Sequence, residues 1–185
     1  MQKGREGSRK REDPNAEARR RERVLIEMAH QPRAFRKSDL PAAVEGVVSR
    51  AIGAAMEVHT ALGPGLLESV YEKALLHELS LAGLSAASQV AIEVPYKGIR
   101  IGGQRADLVV ENTLILELKV VESIAPIHKA QLLSYLRASG LPVGLVINFN
   151  TEHLRDGIRR VINERVLAAS SPSRPSRSEP GGPRS

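Results

Sequence analysis

The stretch that most restricts how this chain can fold is residues 104–119, Q-R-A-D-L-V-V-E-N-T-L-I-L-E-L-K. Two apolar runs, 106–110 and 114–118, flank a short Glu111-Asn112-Thr113 connection, which is the pattern of a β-hairpin. Asp107, Glu117 and Lys119 interrupt these runs at positions where a plain buried strand would carry Val or Ile. Side chains alternate faces along a strand, so Glu117 and Lys119 share one face, with Leu116 and Leu118 on the other. If residues 111–113 form the loop, Val110 pairs with Leu114 and Asp107 falls opposite Glu117. Two carboxylates and an ammonium then meet on one patch, and charges so placed are costly to bury without a partner or a cation.

A lone E-x-K on a strand is more often a solvent-facing pair on a sheet edge. Asp107 across the hairpin alters that balance. Paired carboxylates suit a hard cation such as Mg²⁺ or Mn²⁺, which takes oxygen ligands and retains several waters. Lys119 beside them could orient a water or meet charge building on a phosphate. The spacing points to metal-assisted phosphodiester hydrolysis, with a surface ion pair as the competing reading.

The 185 residues suffice for one domain with a substantial core. With no cysteine there is no disulfide, thiolate metal site or cysteine nucleophile, which fits a reducing compartment. No apolar run reaches the length of a membrane span, and the N-terminal run lacks the apolar stretch of a secretion signal. A soluble, cytoplasmic protein is the expectation. The net charge of +6 resides at the ends: residues 1–23 hold nine Lys/Arg against five Asp/Glu, and residues 170–185 hold three against one. Residues 24–169 are balanced, so net charge does not argue for nucleic-acid binding by the middle of the chain. Residues 1–41 read as a basic, mostly disordered extension and 169–185 as a low-complexity, disordered tail, leaving 42–168 as the folded domain.

Within that domain, a helix over 42–62 carries Val44, Val47, Val48, Ala51, Ile52, Ala55, Met56 and His59 on one stripe and stops at Gly63-Pro64-Gly65. His59 reads as a core-edge histidine with no metal role. A second helix over 66–82 has Leu67, Val70, Ala74, Leu75 and Leu79 as its apolar face, with Glu68, Tyr71 and Glu72 adjoining. Strands follow at 90–96 and 99–102, then the central hairpin, a helix over 124–139, an apolar strand at 143–149, and a last helix capped near Asn150 or Thr151 and running to about 166. The order α-α-β-β-β-α-β-α, with a helical crossover between residues 118 and 143, predicts a mixed-sheet α/β fold.

The residues so assembled resemble a known family. G-L-L-E-S-V-Y at 65–71 is similar to the motif that names the GxxExxY proteins, a group within the PD-(D/E)XK nuclease superfamily. The likeness continues through Y-K-G at 96–98, A-D-L at 106–108, E-L-K at 117–119, A-Q-L-L-S-Y-L at 130–136 and G-L-V-I-N-F at 144–149. The resemblance implies a restriction-endonuclease-like fold and a nuclease activity on DNA or RNA. It implies Glu68, Asp107 and Glu117 as metal-binding carboxylates for Mg²⁺ or Mn²⁺, Lys119 as the superfamily's lysine, and Gln131 and Tyr135 as its helix motif. Helix spacing independently puts Gln131 and Tyr135, four residues apart, on one face. Ala106 stands where the superfamily's name has Pro, and Asn150 follows N-F where relatives often have Gly. A nuclease-fold module that binds nucleic acid or a protein without turnover is the alternative, and a structural Glu117–Lys119 pair the third reading. The five aromatic residues, Phe35, Tyr71, Tyr96, Tyr135 and Phe149, are too few for a large single-strand stacking platform.

Overall fold

The computed structural model describes residues 40–170, and the readings of 1–39 and 171–185 lie outside the described residues. Helix α1 (Ala42–Leu62) starts after Pro41, whose carbonyl accepts the amides of Val44 and Glu45. Val48, Ala51, Ala55 and Val58 repeat at helical spacing and are buried, with His59 at the end of the same stripe. Gly63, at φ 66°, ends the helix by returning its amide to His59 O. Helix α2 (Glu68–Leu81) buries Tyr71, Leu75 and Leu79. That face is rotated from the expected one: Leu67 and Val70 are exposed, while the Tyr71 ring is enclosed and stacks on Phe149 at 4.4 Å. An aromatic ring offers more apolar area to bury than a valine, and here it decides the orientation.

Strands β1 (Ala86–Tyr96) and β2 (Ile99–Val110) form a long antiparallel ribbon closed by Lys97-Gly98, both at positive φ, as a tight hairpin turn demands. Strand β2 runs on unbroken into the central hairpin and pairs with β3 (Leu114–Lys119) through Val110↔Leu114, Val109↔Ile115 and Leu108↔Leu116. The expected loop and register are both present. Helix α3 (Pro126–Ser139) then carries the chain over the sheet to β4 (Val143–Asn148), which lies parallel to β3.

Beyond β4 the expectation of one helix to about residue 166 is corrected. A short 3₁₀ turn (Leu154–Gly157) leads into β5 (Ile158–Ile162), antiparallel to β4, and only then comes α4 (Glu164–Ser170). Ile158 packs in the core beneath α1 and α2, whereas Val161 packs in the core beneath α3. Positions 158 and 161 would share one side of a helix but fall on opposite faces of a strand. The β-branched I-R-R-V-I run pairs with the otherwise open backbone edge of β4.

The fold is thus a five-stranded mixed sheet, β1-β2-β3-β4-β5, flanked by helices in a restriction-endonuclease-like arrangement. One core joins α1 and α2 to Leu108, Val110, Leu114, Leu116 and Leu118; the other joins α3 to Ile115 and Val146. Leu114, Ile115, Leu116 and Leu118 are fully buried, so β3 is covered on both faces. Among the described residues no helix is long and apolar enough to cross a membrane.

Candidate active site

The last residues of β3 leave the apolar pattern. Glu117 follows Ile115 on the face toward α3, yet it is only 3% exposed. Lys119 Nζ donates to Glu117 Oε1 at 2.8 Å and to the Leu118 carbonyl at 2.7 Å. Glu117 Oε2 is buried with no hydrogen-bond partner. An unpartnered carboxylate oxygen away from water is expensive, so its retention asks for an electropositive neighbour.

Asp107 stands just past the last ladder pair of β2 with β3. Its Oδ2 accepts the backbone amide of Leu118 at 2.7 Å. The carboxylate therefore takes the place of a strand partner and is held at the level of Glu117. Glu68 reaches the patch from the first turn of α2. The preceding loop is clamped by Tyr71, whose hydroxyl donates to Gly63 O at 2.6 Å and accepts from Leu66 N at 3.1 Å. Gly65, at φ 100°, permits that tight loop, and the G-x-x-E-x-x-Y spacing is what closes it.

The charges are mutually felt. Burial raises the Glu117 carboxyl above its ordinary range; the Lys119 hydrogen bond opposes this, while Asp107 and Glu68 add to it. Partial desolvation likewise raises Glu68, which remains exposed at the open side of the site, with Lys119 opposing and Asp107 and Glu72 reinforcing. Burial alone would lower Lys119, but the Glu117 hydrogen bond and the charges of Glu117, Asp107 and Glu68 hold it above its usual value. When ionised, three carboxylates face one ammonium, an excess of negative charge that favours a divalent cation.

Whether these residues fit a metal can be judged on the donor set. Among the described residues no three His, Cys, Asp or Glu side chains converge as a ready-made metal cage. The available oxygens are the orphaned Glu117 Oε2 and the Asp107 carboxylate, with Glu68 further out. That set suits a Mg²⁺-type ion, which binds through one or two carboxylates and keeps most of its waters.

Gln131 and Tyr135 are brought together on α3. Gln131 Nε2 donates to the Tyr135 hydroxyl at 2.7 Å, and that hydroxyl donates to Gln104 Oε1 at 2.9 Å. The chain ties α3 to β2 three residues before Asp107, and among the described residues no hydrogen bond joins it to Glu68, Asp107 or Glu117. The Tyr135 ring is core, packed with Leu132 and Leu136. His59 is buried and its Nε2–H donates to Thr151 O at 2.9 Å, fixing the loop after β4.

Sequence reasoning missed two supporting residues. Asn148, opposite Lys119 in the parallel ladder, is 1% exposed. Its Oδ1 accepts from Val121 N at 3.0 Å and its Nδ2 donates to Val121 O at 2.8 Å, which pins the chain just after Lys119. The signal was an amide ending a fully apolar run, since a buried amide must find partners. Gln104 is the other, and nothing in its local sequence marks it.

A mixed sheet with an acidic pair and a lysine where β2 and β3 meet defines a nuclease-type α/β domain. The sequence model of the PD-(D/E)XK nuclease superfamily matches residues 45–161, and the chain belongs to that superfamily. No functionally curated protein matches it. A solved structure described as the crystal structure of SSO0001 is 17% identical over 81% of this chain and 84% of its own, with a TM-score of 0.41.

Proposed function

We propose that this chain is a Mg²⁺- or Mn²⁺-dependent nuclease of the GxxExxY group, hydrolysing phosphodiester bonds of DNA or RNA. The observation that carries the reading is Glu117: one oxygen is held by Lys119 and the other is buried with no donor, beside an Asp107 already fixed by Leu118 N. A purely structural ion pair has no use for the second oxygen or for the facing carboxylate.

In this reading Asp107, Glu117 and Glu68 would hold the ion. A bound divalent ion would supply a polarised water and offset charge on the phosphate. Lys119 keeps two of its donors on Glu117 Oε1 and Leu118 O, which aims the ammonium and leaves its remaining proton for the attacking water or a phosphate oxygen. Because Lys119 stays protonated, its part is electrostatic, and a donor fixed in advance has no reorganisation left to undergo. Gln131 and Tyr135 act on β2 through Gln104, holding the strand that delivers Asp107.

The test is incubation of purified protein with end-labelled single- and double-stranded DNA and RNA in Mg²⁺, Mn²⁺ or EDTA. Cleavage of at least one substrate, abolished by EDTA and by Glu117→Gln, is the expected result. A folded wild type that leaves all four substrates intact in both metals would overturn it.

A further inference from the structure

The β1–β2 ribbon changes sides between Ala86 and Ile92. Ala86, Leu108 and Val110 pack in the core beneath α1 and α2, whereas Ile92 and Ala106 pack in the core beneath α3. On an unbroken strand Ala86 and Ile92 would lie on one face, as would Ala106, Leu108 and Val110, because their spacings are even. The register is the same on both sides of the change, with Ser88 opposite Leu108 and Val90 opposite Ala106, so neither strand has an extra residue there. The residues in between are Gln89 and Asp107.

Gln89 has φ 53°, in the left-handed region. A non-glycine residue is strained there and persists only where surrounding bonds enforce it. Those bonds are present. The Gln89 carbonyl accepts from Arg105 at 3.2 Å, and its side-chain amide donates to Glu72 Oε2 at 2.7 Å. Arg105 is two residues before Asp107, and Glu72 is one helical turn after Glu68.

The inversion has a geometric consequence for the site. Glu68 comes from α2, on one side of the sheet, while Glu117 faces α3, on the other. A regular ribbon would commit the Asp107 side chain to one of those faces. With the ribbon turning over between Leu108 and Ala106, Asp107 lies at the seam, where its carboxylate reaches Leu118 N and feels both glutamates.

We infer that Gln89 is a positioning residue for Asp107: its left-handed backbone turns β1 over opposite Asp107 and so directs that carboxylate to the seam between the two faces. The inference rests on reading Asp107 and Glu117 as the reacting pair.

The experiment compares cleavage kinetics of wild type, Gln89→Gly, Gln89→Ala and Gln89→Val in Mn²⁺. Glycine enters the left-handed region freely, alanine less so, and a β-branched valine resists it. The expected order of kcat is wild type and Gly within about threefold, Ala lower, and Val lower by about tenfold to a hundredfold, the scale of a small misplacement of a reacting group. KM should move little. Recovery by glycine, which removes the side chain, separates backbone positioning from a generic packing loss. If Val does not fold, the Gly-over-Ala order decides. Equal rates for Gly, Ala and Val, or a Gly variant as impaired as Val, overturn the inference while leaving the nuclease reading intact. A folded wild type with no cleavage fails at the earlier step and takes the inference with it.

Discussion

The carboxylate of Asp107 accepts the backbone amide of Leu118, a side chain standing in for a strand partner where the β2–β3 ladder stops. One oxygen of Asp107 therefore has a structural duty, and the other is the one proposed to meet the metal. Asp107→Asn keeps an acceptor for Leu118 N and should melt close to wild type. Asp107→Ala leaves that amide unpaired and should lose about 1–3 kcal/mol. Both should lose most Mn²⁺ affinity in calorimetry. Equal affinity in Asp107→Asn and wild type would remove Asp107 from the metal site.

Lys119 separates the catalytic and structural readings. Lys119→Met retains the apolar stem and deletes the charge, so the protein should fold and still bind Mn²⁺. Cleavage should fall by about a hundredfold or more, the scale of one lost contact to developing charge. The loss should lie in kcat, because the ammonium is proposed to act on the transition state. A variant that cleaves at the wild-type rate would sink that role.

Acidity provides a third test. The carboxyls of Glu117 and Glu68 lie above their ordinary value of 4.5 in the folded protein, so the native state binds these protons more tightly than the unfolded chain does. Their stabilising contribution is full below that value and is lost as pH rises through the folded one. Without metal, Glu117→Gln should therefore gain stability relative to wild type as pH goes from about 4.5 towards neutrality. Lys119, also raised, follows the same rule at the alkaline end, where its contribution is lost as pH climbs through its folded value. Added Mn²⁺ at neutral pH should raise the wild-type melting temperature and leave Glu117→Gln nearly unmoved. Parallel melting curves across this range would show that Glu117 is not held in a costly charged state.

Tyr71→Phe keeps the ring stack on Phe149 and removes the hydroxyl that joins Gly63 O to Leu66 N. A stability loss of about 1–2 kcal/mol is expected from two modest hydrogen bonds. Because that loop delivers Glu68, cleavage should fall further than the stability change explains, most clearly at limiting Mn²⁺. Unaltered kinetics in a correctly folded variant would confine Tyr71 to packing.

Much of this architecture could be read from the chain because it rests on local signals. The three-residue connection set the register that puts Asp107 at the level of Glu117, and Gly63 with Pro64 ended α1 where expected. What escaped depended on partners distant in sequence. Positions 154, 158, 161 and 162 satisfy a helical period, but 158–162 also suit a strand packed on both faces, and the open edge of β4 chose the strand. Tyr71 looked like an adjoining polar-face residue until Phe149 supplied a ring to stack on. Gln104 and Gln89 are ordinary polar residues in sequence; their roles come from α3 and α2 packing against β2 and β1.

The double-sided burial of β3 also bears on how such a chain can vary. A shift of one residue between Asp107 and Lys119 would carry Glu117 and Lys119 into the leucine core and bring Leu116 and Leu118 to the site. Single insertions or deletions there are closed to the lineage, because they exchange the two faces wholesale. The Lys97-Gly98 tip lies at the far end of its ribbon, where the paired residues Tyr96 and Ile99 are exposed. Change in length can accumulate there, so the reach of this arm is free to diverge while the spacing of the acidic pair stays fixed.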